Sequence, residues 1–179
     1  SSFVFLALIA GIVGWYGMSS ISTISESDVV LYEKVTVAIG QMGKISTAWQ
    51  KMRVYIYKTI MSTSQDEIKD YLASIDGLNK IIEEDIRIYE KTITSDESKI
   101  AFNEFKSKHE DYMNVIKKLS NYSLSGKHAE AVEYTKSNEV ASIIKTEEEI
   151  IDKLIAMNIE NGKEISNTNV VLASKVSTN

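Results

Sequence analysis

Arg53 stands among aromatic residues, with Trp49, Tyr55 and Tyr57 around it in the sequence. A guanidinium in that setting can clasp a carboxylate through two parallel hydrogen bonds. The plainer alternative is a solvated arginine or a surface ion pair. Trp49 falls on an apolar stripe, so its first role is in a core. Tyr55 and Tyr57 point to different faces of a helix, so they do not serve one pocket.

Other polar residues fall where apolar ones are expected. Glu147 lies on the seam of a helix, and a buried carboxylate is costly unless it is paired or hydrogen-bonded. Either a cation meets it, or the seam register is shifted by one residue. His109 also lies on a seam, where a hydrogen-bonded core histidine is commoner than a haem ligand. Histidine occurs only at 109 and 128, which argues against a bis-histidine haem site. Asn158 and Asn161 are seam positions of the kind that fix register or oligomeric state. The runs "EED" at 83–85 and "EEE" at 147–149 lack the Glu-x-x-His pattern that a di-metal bundle needs. Cysteine is absent, which excludes disulfides, thiolate zinc sites and thiol catalysis. No Gly-rich phosphate loop, HExxH or GxSxG occurs. The sequence therefore asks for no cofactor or metal and does not read as an enzyme. A net charge of −5 argues against a nucleic-acid partner.

The elements that position these residues are helices. The 179 residues contain no proline, and apolar side chains recur at helical spacing. Leu31, Val35, Ala38, Met42, Ile45, Trp49, Met52 and Ile56 make a first stripe in steps of three and four. Ile68, Leu72, Ile75, Leu78, Ile82, Ile86, Tyr89 and Ile93 make a second. Phe102, Phe105, His109, Tyr112, Ile116 and Leu119 make a third. The fourth starts around Ala129 and Val132 and runs through Val140, Ile144, Glu147, Ile151, Leu154, Asn158, Asn161, Ile165, Thr168 and Leu172. Ser64-x-x-Glu67 and Thr94-x-x-Glu97 read as capping boxes, and Gly126 as a left-handed helix stop. The expectation is an all-α, antiparallel up-down-up-down four-helix bundle, with helices over about 26–63, 65–93, 95–124 and 127–179.

Residues 1–25 carry no charge. The apolar run at 3–18 is short for a span, which needs about 20 residues. It lacks the charged start and cleavage site of a signal peptide. We read it as the outer part of a first transmembrane helix whose preceding residues have been cut away, running on into the first bundle helix. Trp15 and Tyr16 would form its interfacial belt, and the pairs Ala7/Gly11 and Ala10/Gly14 would let two such helices approach. The alternative is a buried end of the bundle itself. The first helix, Glu26 to Thr63, would be roughly 57 Å long at about 1.5 Å per residue. A fourth helix reaching Asn179 would return level with Gly11, so both ends of the chain would meet at one membrane. A second span is expected just after Asn179.

This layout resembles the extracytoplasmic four-helix-bundle sensor domain of methyl-accepting chemotaxis proteins. "LYEKVTVAIGQMGKISTAWQKMRVYIYKTI" resembles that family's first helix, "FNEFKSKHEDYMNVIKKL" its third, and "SGKHAEAVEY" the small-residue start of its fourth. The resemblance implies a homodimeric receptor anchored in the inner membrane by flanking helices, its sensor domain periplasmic or extracellular. It also implies a small-molecule ligand, bound directly or through a ligand-loaded binding protein near the membrane-distal end, and signalling by displacement of the fourth helix. The ligand-binding candidates are then Arg53, Trp49, Tyr57, Tyr112, Lys118, Tyr122, Tyr134 and Thr146. Similar bundles serve histidine kinases and cyclases. A ligand-free structural bundle is the reading from a different class.

Overall fold

The computed structural model describes residues 2–177. Every regular element among them is helical. The first is an uninterrupted helix in three parts: α1 (Ser2–Val30), a π-helical segment (Leu31–Thr36) and α2 (Val37–Met61). Then come α3 (Gln65–Glu90), α4 (Asp96–Leu124), α5 (His128–Thr135) and α6 (Asn138–Ser177). α2, α3, α4 and α6 form the four-helix bundle. α3 lies along α2 and α6 along α4, while α2 and α6 also touch. The α3–α4 seam is the sparsest between neighbouring long helices.

The periodic stripes become the core. Met42, Ile45, Trp49 and Met52 of α2 are buried with Ile75, Ile82 and Tyr89 of α3. Phe102, Phe105, Tyr112, Ile116 and Leu119 of α4 join Ile151 and Leu154 of α6. Each such aliphatic side chain contributes about 1.5–3 kcal/mol on leaving water. At the start of the fourth stripe the buried residue is Ala131, and Ala129 is exposed.

The helix ends follow local hydrogen bonding. The Ser64 hydroxyl accepts from the Glu67 N–H at 3.4 Å. The Glu67 carboxylate accepts from the Ser62 hydroxyl at 2.6 Å, and that hydroxyl in turn accepts from the Ser64 N–H at 3.1 Å. The expected box is thus shared by two serines. The second cap falls one residue later than the sequence suggested. Ser95, not Thr94, accepts from the Ser98 N–H at 3.1 Å, and α4 starts at Asp96. α4 ends at Leu124, and two residues on Gly126 turns the chain with a φ of 71° that suits a residue without Cβ. The Lys127 N–H donates to Tyr122 O at 2.8 Å and the Gly126 N–H to Ser123 O at 3.1 Å, the paired bonds of a Schellman stop.

A fourth helix expected unbroken over 127–179 is two helices, α5 and α6. The polar run Thr135-Lys136-Ser137-Asn138 offers the backbone local partners that compete with the helix. Thr135 Oγ1 donates to Val132 O at 2.6 Å, and Ser137 Oγ accepts from the Val140 N–H at 3.3 Å.

α6 then runs beside the π segment and α1, as the helix lengths required. Asn169 Nδ2 donates to Asp28 Oδ1 at 3.1 Å across this pair. Gly162 makes room for the π segment: a Cβ there would lie 2.8 Å from Val35 Cγ1. On α1, Trp15 is 77% exposed, and Met18 and Ile21 are exposed too. Among the described residues no helix is long and apolar enough to cross a membrane. Ala7, Ala10 and Tyr16 lie outside the described side chains, and Asn179 outside the described residues.

Candidate functional site

The sequence-predicted candidates fall into two clusters and one outlier. Arg53 and Trp49 lie one turn apart on α2. The guanidinium carbon stands 4.9 Å from the Trp49 ring centroid. The Trp49 ring in turn lies 5.9 Å from that of Tyr112 on α4. Arg53 is half-buried and loosely held by charge: Glu148 Oε2 on α6 is 4.0 Å from its Nη1. Gln50 Oε1 accepts from the same nitrogen at 3.4 Å. Arg53, Tyr57, Tyr112, Thr135 and Ile144 line a narrow seam of about 10 Å³. That is room for about one water and no organic ligand. The joint between α5 and α6 closes one side of it.

Tyr112 is 2% exposed, and its hydroxyl has no partner. Burial pushes its ionisation well above the ordinary tyrosine range. The Glu147 carboxylate adds to the shift and the Arg53 guanidinium opposes it. The indole N–H of Trp49 is also buried and unpartnered.

Lys118, Tyr122 and Tyr134 form the second cluster. Lys118 Nζ sits 3.8 Å from the Tyr134 ring centroid, and Tyr122 meets Tyr134 edge-on at 6.3 Å. Burial raises the Tyr134 ionisation, and Glu139 raises it further. The short helix α5, which carries Tyr134, brings this cluster together. Thr146 is half-buried on α6 and joins neither group.

Between the helices lies a polar array that sequence reasoning saw only in part. Glu147 is fully buried and His109 is 6% exposed. His109 Nδ1 is 2.8 Å from Glu147 Oε1, so the seam register was right and the carboxylate has its partner. His109 Nε2 is 2.9 Å from Asn79 Oδ1 on α3. Asn79 Nδ2 donates to Glu83 Oε1 at 2.8 Å, which sets the amide orientation. Phe105 stacks on the His109 ring at 6.0 Å. The array ties α3, α4 and α6 together through one side chain. His109 and Glu147 showed as polar residues on facing seams; nothing in the spacing pointed to Asn79.

Asn158, the other buried seam polar, donates from Nδ2 to Tyr89 Oη at 2.8 Å and to Leu154 O at 2.7 Å. Among the described residues no cluster of His, Asp and Glu could hold a metal ion.

The arrangement holds charged and aromatic groups between packed helices. The sequence model of a family described as a four-helix-bundle sensory module for signal transduction matches residues 1–173. No curated protein matches the chain.

Proposed function

Because the chain belongs to the four-helix-bundle sensory modules of methyl-accepting chemotaxis proteins, we propose that it is the extracytoplasmic sensor domain of a membrane chemoreceptor. It takes a small carboxylate-bearing molecule at Arg53, which enters only as the closed seam widens, and signals by displacement of α6.

The observation that carries this reading is the weak grip of Glu148 on Arg53, at 4.0 Å. A ligand carboxylate in a two-pronged pair would bind the guanidinium better than Glu148 does. It would also release a contact between α2 and α6. The joint at 136–137 lies beside the same seam, so a ligand that widens the seam pushes on the start of α6. Packed helices answer such a push by shifting between discrete arrangements. α6 continues alongside α1, towards the uncharged segment that we read as membrane-associated.

Val54, Tyr57 and Met61 form an exposed row on α2 in steps of three and four. That row supports pairing with a second copy, with Arg53 at its edge. A ligand-loaded binding protein is the alternative partner.

A thermal-shift screen of the chain with amino acids and small organic acids, repeated on Arg53→Gln, tests the reading. At least one carboxylate should raise Tm, and the substitution should remove the shift while leaving helicity intact. The reading fails if no compound raises Tm, or if a hit raises it equally in Arg53→Gln.

A further inference from the structure

The loose α3–α4 seam opens into a groove of about 610 Å³, within the size range of small-ligand pockets. It lies away from the Arg53 seam and shares none of its lining residues. Ile86 and Met113 give it an apolar floor, and the buried His109 and its acceptor Asn79 also line it.

Two opposite charges border the groove without meeting: Arg87 on α3 and Glu110 on α4. Among the described residues, neither side chain makes an ion pair or a hydrogen bond. The groove's other charges are engaged. Lys106 Nζ is 2.9 Å from Glu90 Oε1, and Glu83 accepts from Asn79. An unpaired guanidinium and an unpaired carboxylate across an apolar floor are complementary to one ligand chemistry. That ligand carries a carboxylate at one end, an ammonium at the other and a short carbon skeleton between them.

We propose that the α3–α4 groove is a second ligand site, which binds a small zwitterion with its carboxylate on Arg87 and its ammonium on Glu110. His109 reports its occupancy to α6. The imidazole is the link, because Nε2 faces Asn79 on the groove side and Nδ1 holds Glu147 inside the core. A ligand that moves Asn79 changes the ring that anchors α6. His109 is a positioning residue here, while Arg87 and Glu110 touch the ligand.

The test uses the whole 179-residue chain, ¹⁵N-labelled, with His128→Gln in the background. The remaining imidazole signals then belong to His109. The probes are glycine, β-alanine and 4-aminobutyrate, with propionate and ethylammonium as half-ligands. At least one zwitterion should shift the His109 resonances saturably. The half-ligands, and the variants Arg87→Gln and Glu110→Gln, should each weaken binding about tenfold or more, the worth of one lost charge-assisted contact. Both substituted residues are exposed, so helicity should hold. The groove shares no lining residue with the Arg53 seam, so a loss caused by Arg87→Gln and Glu110→Gln separates this site from the one proposed above. The proposal is overturned if no zwitterion shifts His109 up to about 10 mM, or if Arg87→Gln and Glu110→Gln bind like the parent.

Discussion

His109 Nδ1 lies 2.8 Å from Glu147 Oε1 inside the bundle, with Glu147 wholly out of solvent. Removing one member leaves the polar atoms of the other buried and unpaired, which costs about 1–3 kcal/mol or more. Replacing both with apolar side chains of similar size is often neutral or better. His109→Leu and Glu147→Leu should therefore each destabilise strongly in urea denaturation, and the double variant should be more stable than either. A double variant no better than the worse single would show that the pair is not what makes these positions sensitive.

The fit of Gly162 against Val35 predicts a change of sign. A methyl at 162 would lie 2.8 Å from Val35 Cγ1. Gly162→Ala should cost about 1–3 kcal/mol from overpacking. In a Val35→Ala background the clash is gone and alanine's helix preference of about 1 kcal/mol prevails. Thermal melts of the four variants measure this. A loss of the same size in both backgrounds would mean that Val35 is not the obstacle.

Tyr112 predicts alkaline behaviour. Its folded ionisation lies above the ordinary value of 10.0, chiefly from burial and then from Glu147. Above about pH 10 the unfolded chain releases this proton while the folded chain keeps it. The unfolded state then binds fewer protons, so stability falls as pH rises. The contribution is complete below pH 10 and is lost on the way up to the folded value. Tyr112→Phe should flatten this part of the decline. Its hydroxyl is unpartnered, so the loss near neutrality should be small. Stability curves of equal alkaline slope for parent and variant would remove Tyr112 as the cause.

Periodicity carried most of the fold. Met42, Ile45, Trp49 and Met52 were readable as a core stripe because burial and helical spacing are the same fact seen twice. Gly126 was readable because few residues besides glycine tolerate its backbone angle. The cap at Ser95 was misplaced by one residue, since Thr94 and Ser95 carry equivalent hydroxyls. The break at 136–137 was missed because the apolar spacing runs across it, while the interruption comes from hydroxyls bonding to nearby backbone. The site was legible in outline only. Arg53 and Trp49 could be paired from their one-turn spacing, but Tyr112 and Glu148 come from helices whose rotation the sequence does not specify. The role of Asn79 depends on a bond from α3 to α4 and leaves no local signature.

The sparse packing between α3 and α4 gives the bundle the form of a half-open book. One page is the α2–α3 hairpin, the other the α4–α6 hairpin, and the spine is the line where α2 meets α6. A page that swings at the fore-edge turns about that spine. The two helices forming it run on beside each other as α1 and α6, so an opening at the α3–α4 edge would be felt there as a change in the angle between them.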